Sequence, residues 1–193
     1  KVAKIKGNAK LSSGENPKVI LDKILKQVLK QQVRFDKAYK NLINELKKEN
    51  IFFVNEFQIA GEQQQFTKDY FSDKVRTNLV PILIDKKKPF PFMKDASTYM
   101  CIKMYNKEKR NTKIEYALLE IPSERVNRIV ILPSIEKKKY LMMLDDIIRY
   151  NLPSVFSIFN YDTIEGYNIK LTRDAGLEID EDLSKSIVDK LTQ

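Results

Sequence analysis

Histidine is absent from all 193 residues of this chain, and cysteine occurs once, as Cys101. Without histidine the chain can hold no Ser–His or Cys–His pair, no imidazole metal ligand and no phosphohistidine. One cysteine allows no internal disulfide and no thiolate zinc site. It lends no support to an oxidising compartment, so the cytoplasm is the expected location. Only five glycines are present, and neither GxGxxG nor GxxxxGK followed by Ser or Thr occurs, so no glycine loop cradles a nucleotide. No apolar run approaches the roughly 18 residues a membrane span needs, and the start carries no apolar signal-peptide core. Chemistry confined to this chain would have to use carboxylates, lysines or tyrosines.

What is present suits a folded core. Apolar residues make up 42% of the chain and are spread along it, which argues against wholesale disorder. The formal charge of +9 is uneven. Lys1 to Asn50 carry 13 basic and 5 acidic residues, whereas the remainder carries 22 and 21, so the basicity belongs to the first quarter. The usual partner of such a surface is a polyanion: nucleic acid, polyphosphate, a nucleotide or an acidic membrane.

Along the chain, Lys1 to Leu11 read as the tail of a helix and Ser12-Ser13-Gly14 as a linker. Asn16-Pro17 is a helix start, with asparagine as cap and proline at the first helical position. From Val19 to Leu46 the apolar residues Ile20, Ile24, Val28, Phe35, Tyr39, Leu42 and Leu46 fall mostly at three- and four-residue steps. That is one long amphipathic helix, expected to pack along a partner helix. Lys23, Lys26, Lys30, Arg34 and Lys37 form a basic stripe roughly opposite the apolar face. Such a stripe is either an ordinary solvated face or a rail for a polyanion. The lack of interleaved aromatics weighs against single-stranded nucleic acid.

After Asn50 the texture changes. Ile51 to Val54 read as a strand, Glu62 to Leu79 as a helix ended by Pro81, and Lys86 to Phe92 as a loop. Thr98 to Tyr105 and Lys113 to Ile121 read as a hairpin, followed by a strand at Ile129 to Leu132. Leu144 to Leu152 read as a helix stopped near Pro153, Ser157 to Tyr161 and Tyr167 to Thr172 as strands, and Glu181 to Leu191 as a last helix. Clustered strands without regular alternation imply an α+β fold: a long N-terminal helix, then a mixed, mainly antiparallel sheet with flanking helices. Neither end carries a stop signal, which suggests cuts through a longer protein.

Single motifs decide little. Asp145-Asp146 could be a carboxylate pair, but neighbours on a helix point about 100° apart, and helix surface charge is the common case. Glu178 to Asp182 lack a calcium-loop pattern and suit the start of a helix. The lysine triplets Lys86 to Lys88 and Lys137 to Lys139 are phosphate contacts or solvated loops. The first abuts a rigid Pro-Phe-Pro-Phe segment that would hold its charges in place.

Read in order, the segments resemble one family. Lys87-Lys88-Pro89-Phe90-Pro91-Phe92-Met93 is similar to the Pro-Phe-Pro-Phe segment of bacterial polyphosphate kinases of the phosphohistidine type. Tyr116 to Pro122 is similar to the strand that follows in those enzymes, Arg128 to Pro133 to the stretch ending in Leu-Pro, and Asp145 to Leu152 to the next helix. Lys170-Leu171-Thr172-Arg173-Asp174-Ala175 resembles their Thr-Arg-Asp-Ala element. Phe35 to Tyr39 and Ile51 to Glu56 also fit. One departure is Lys88, where many relatives have histidine.

The resemblance implies that residues 1–50 are the last part of a helical N-terminal domain and 51–193 an incomplete head domain. It implies a parent enzyme that passes the terminal phosphate of ATP reversibly to polyphosphate through a phosphohistidine, with Mg and ATP/ADP bound outside this segment. The asparagine that meets the base lies before Lys1, and the phosphate-accepting histidine and the Mg and phosphate ligands lie in later domains. This segment would then be scaffold and subunit contact, without catalytic, cofactor or metal residues of its own and inactive alone, in a homodimer or homotetramer. Its candidate polyanion contacts are Lys23, Lys26, Lys30, Arg34, Lys37, Lys86, Lys87, Lys88 and Arg173, the last serving in an ion pair or a phosphate contact. The rival is a stand-alone basic nucleic-acid-binding module. It explains the charge but not the near-neutral remainder, so no nucleic acid and no membrane span are expected.

Overall fold

The computed structural model describes residues 16–85, 87–107 and 114–172. The expected helices at Lys1 to Leu11 and Glu181 to Leu191, and the linker at Ser12 to Gly14, lie outside them. The described residues form two compact units, one holding α1 with Ile51–Phe53 and Glu136–Lys139, the other holding those of Val54–Ile135 and of 140–172.

In the first unit, α1 (Pro17–Lys48) starts where Asn16-Pro17 predicts. The Asn16 side chain accepts from the Lys18 N–H at 2.9 Å, satisfying one of the four free N–H groups of the first turn. The 32 residues make a rod about 48 Å long at 1.5 Å per residue. Ile24, Val28, Phe35, Tyr39 and Leu42 on its apolar row are all about half or more exposed. β1 (Ile51–Val54) runs beside the start of β6 (Lys138–Met143), where the Lys139 N–H donates to the Asn50 carbonyl at 2.8 Å.

The second unit carries the main core. α2 (Glu62–Tyr70) continues through a π turn (Phe71–Val75) and a 3₁₀ turn (Arg76–Asn78), so the expected helix is present but ends irregularly. The π turn buries Phe71 and Val75 on one side. β2 (Ile82–Ile84), β4 (Glu115–Glu120), β3 (Thr98–Tyr105) and β7 (Thr163–Lys170) form a sheet in that order, each neighbouring pair antiparallel. Alternation sorts the sheet into two faces. Met100, Ile102, Met104, Ala117 and Leu119 point into the larger core, which also holds Ile147 and Ile148 of α3 (Leu144–Tyr150) and Leu152 of α4 (Leu152–Val155). On the opposite face Tyr99, Leu118 and Met93 form a smaller core. There the Lys94 N–H donates to the Tyr99 hydroxyl at 2.8 Å, pinning the end of the Pro-Phe-Pro-Phe loop, while Phe90 and Phe92 stay exposed.

β5 (Ile129–Ile135) is an edge strand beside β6, and Pro133, which has no N–H to give, sits on it. Its carbonyl accepts from the buried Gln63 amide at 2.9 Å. The architecture is α+β, as the strand clusters imply.

Several expectations need correction. β6 was not foreseen: Lys138 and Lys139 begin a strand, and only Lys137 of that triplet lies in a turn. The turn is Glu136-Lys137, both at positive φ (51° and 63°), without the Asn-Gly or Asp-Gly that normally announces it. Ser157 to Tyr161 are not a strand but a turn after α4, closed by the Phe159 N–H donating to the Phe156 carbonyl at 2.9 Å. The following strand starts at Thr163, four residues earlier than expected, and ends at Lys170. Gly166 looks like a break, yet it continues the strand where an added Cβ would come within 2.7 Å of the Met100 sulfur. Pro153 does not stop a helix but sits in the first turn of α4. β2, three residues long and directly after Pro81, is too short to give a pattern.

Candidate functional site

The densest group of charged side chains in the second unit is centred on Arg149 of α3. Its Nη1 lies 2.6 Å from an Asp146 oxygen and 3.2 Å from a Glu56 oxygen, and its Nε donates to the Gly166 carbonyl at 3.1 Å. Asp145 lies 4.0 Å from the other terminal nitrogen and accepts from the Asn168 amide. The helix places these groups for a simple reason. Asp145 and Asp146 stand four and three residues before Arg149, so both reach one guanidinium although they diverge from each other. Neither is an ordinary solvated surface charge: side-chain exposure is 20% at Asp145, 17% at Asp146 and 8% at Glu56.

Three carboxylates thus share one half-buried cation. A lone ion pair lowers a carboxyl's pKa, but here burial raises Asp146 to about 6. The Arg149 hydrogen bond pulls it back only in part, and Asp145 and Glu56 push the same way as burial. Burial alone would favour a neutral Arg149, but Asp146 and Glu56 outweigh it and hold the guanidinium above its ordinary value. The cluster ties the segment after β1 to α3 and β7. Among the described residues no three His, Cys, Asp or Glu side chains converge to hold a metal ion.

A family model described as the polyphosphate kinase middle domain matches residues 62–193. The chain belongs to the polyphosphate kinase family. Its sequence is 35% identical over 184 residues to the polyphosphate kinases of Salmonella typhimurium and Escherichia coli K12, covering 93% of this chain and 26% of each of theirs. The Yersinia pestis polyphosphate kinase is 34% identical over 189 residues, 96% of this chain and 27% of that one. The chain therefore spans about a quarter of the length of these polyphosphate kinases. The crystal structure of the Porphyromonas gingivalis polyphosphate kinase superposes with a TM-score of 0.66 over 83% of this chain and 26% of that one. At 24% identity that likeness speaks to the fold alone.

The polyanion candidates fall in separate places. Lys23, Lys26, Lys30, Arg34 and Lys37 lie exposed along α1 in the first unit. Lys87 and Lys88 are exposed in the loop of the second, where the Asp85 carboxylate accepts from the Lys87 N–H at 2.9 Å and its carbonyl accepts from the Lys88 N–H at 3.1 Å. Lys86 and Arg173 lie outside the described residues, as do Glu178 to Asp182. Arg149 was missed as a centre. Its signal was the spacing of Asp145, Asp146 and Arg149, but nothing local marks Glu56, 93 residues earlier, as the third carboxylate. Among the described residues no helix is long and apolar enough to cross a membrane.

Proposed function

We propose that this chain is the scaffold and subunit-contact part of a polyphosphate kinase. The whole enzyme would transfer the terminal phosphate of ATP reversibly to inorganic polyphosphate through a phosphohistidine, in the cytoplasm, as a homodimer or homotetramer. The observation that carries this reading is the family match over 62–193 in a chain without histidine. Family membership supports the phosphotransfer, and the missing imidazole supports a covalent step carried by residues outside this chain. Mg, when bound with ATP elsewhere in the enzyme, would neutralise the phosphoryl charges. No step is assigned to the residues described here. Their part is positional. The sheet, its two cores and the Arg149 cluster fix a rigid body, and the cations of α1 and of the Lys87-Lys88 turn would draw a polyanion by long-range attraction.

The test is polymer synthesis from labelled ATP and Mg by the full-length gene product, beside the 193-residue chain. Polymer from the long product and none from the short one is the expected pair of results. No polymer from either sinks the kinase reading, and polymer from the short chain sinks its scaffold role.

A further inference from the structure

The second unit carries a groove of about 600 Å³ that the scaffold role leaves without a task. One wall is the loop after β4. The Arg125 and Val126 N–H groups both donate to the Pro122 carbonyl, at 3.0 and 2.9 Å, and the Arg128 carbonyl accepts from the Leu144 N–H at 2.8 Å. Val126 between the two arginines is buried, so the loop is anchored by its middle while Arg125 and Arg128 stay exposed. The other wall is the turn from Lys94 into β3. Ala96 there has φ +57°, a left-handed conformation that an alanine holds only at a cost. Lys170, paired with Thr98 across β3 and β7, closes the end.

The charges sort themselves. Lys94 is tied to Glu120 at 3.0 Å and feels Glu124 as well, and the Asp95 carboxylate accepts from the Ala96 N–H at 2.8 Å. Arg125, Arg128 and Lys170 have no carboxylate within ion-pair distance among the described residues. Glu124 also lines the groove, so its excess of cations is small, but three exposed cations on an anchored loop and a strand end still suit a ligand with charge repeated along its length. Hydroxyls of Ser97, Thr98 and Ser123 also line it, as donors to oxygen acceptors. Guanidinium forks match phosphate oxygens in particular.

We propose that this groove binds a linear phosphate chain, with Arg125, Arg128 and Lys170 as its cationic contacts. The inference rests on the polyphosphate kinase reading and adds a binding surface to it, separate from the cations on α1.

Binding of end-labelled medium-chain inorganic polyphosphate to the 193-residue chain tests it, by fluorescence anisotropy over a range of salt. The double variant Arg125→Ser/Arg128→Ser should weaken binding about tenfold and make the salt dependence shallower by between one and two counterions. Lys40→Ser/Lys47→Ser, which removes the same charge from α1, should cost less than twofold. Arg125→Lys/Arg128→Lys should recover most of the loss, and far-UV circular dichroism should be unchanged throughout. A groove variant that binds as wild type, or loses no more than the α1 control, overturns the proposal. So does RNA that binds as tightly as polyphosphate and loses as much. Competition separates the sources of the chemistry: displacement by ATP but not by orthophosphate assigns the nucleotide triphosphate, and displacement by neither assigns the inorganic chain. Displacement by orthophosphate at equal phosphate concentration overturns the chain. An inactive full-length enzyme would remove the kinase reading without touching these binding results.

Discussion

Replacing Asp146 by asparagine should make the chain more stable at neutral pH, although it removes half of an ion pair. Asp146 is half-buried beside Asp145 and Glu56, and in the folded chain its carboxyl titrates at about 6 instead of 3.8. A tenfold change in proton affinity is worth about 1.4 kcal/mol, so the difference corresponds to at most about 3 kcal/mol, and solvent around the half-buried side chain screens part of it. Its sign follows from proton counting. Between pH 3.8 and about 6 the folded chain holds a proton that the unfolded chain has lost. The stability this group lends is therefore full below the lower value and disappears as pH rises through the upper one. At pH 7.5 wild type bears the whole cost of the buried charge. Asparagine keeps an oxygen that can accept from Arg149 and carries no charge. The variant should lead by about 1–2 kcal/mol at pH 7.5, and the lead should shrink to about 0.5 kcal/mol or less near pH 4. Urea unfolding of both chains at pH 4, 5, 6 and 7.5 measures it. An asparagine variant that is less stable at pH 7.5, or a gap that stays constant across the series, refutes the reasoning. The first would show that the Asp146–Arg149 attraction exceeds the cost of burial and of the neighbouring carboxylates, and the second that the folded chain does not raise the Asp146 carboxyl.

Two further changes probe local geometry. Gly166→Ala should destabilise by about 1–3 kcal/mol in urea, because its Cβ would meet the Met100 sulfur at 2.7 Å and Leu152 Cδ1 at 2.9 Å, both on fully buried side chains. No loss would mean that Met100 can yield. Glu136→Asn with Lys137→Gly should stabilise by about 1 kcal/mol in thermal unfolding, since both positions hold positive φ in a two-residue turn. A lower melting temperature would show that these side chains contribute more than the backbone loses.

Elements whose information is local were legible in the sequence. Asn16-Pro17 marks a cap that needs only its own turn, and the β3–β4 pair follows from alternation broken by a polar stretch. The strands that were missed or displaced are those where a tertiary reason overrides the local one. β6 hides behind Lys137 to Lys139, because its turn uses Glu136-Lys137 and is held in the left-handed region by the strands on either side. β7 hides behind Gly166, because the glycine there answers to Met100 and Leu152 from other elements.

The same distinction separates the two kinds of site. The basic stripe on α1 can be read from spacing, since one helix sets all five positions. The Arg149 cluster cannot, because Glu56 and Gly166 reach it from 93 residues before and 17 after. Nor can the groove, whose cations come from the loop after β4 and the end of β7. A stripe along one helix pulls on any polyanion from a distance and discriminates little between them. Cations that come from separate elements are spaced by the fold and not by one helix's repeat, and such a spacing can be matched or missed by a ligand. Selectivity for a phosphate chain over RNA should therefore reside at Arg125, Arg128 and Lys170, while the α1 stripe should govern how fast either polyanion arrives.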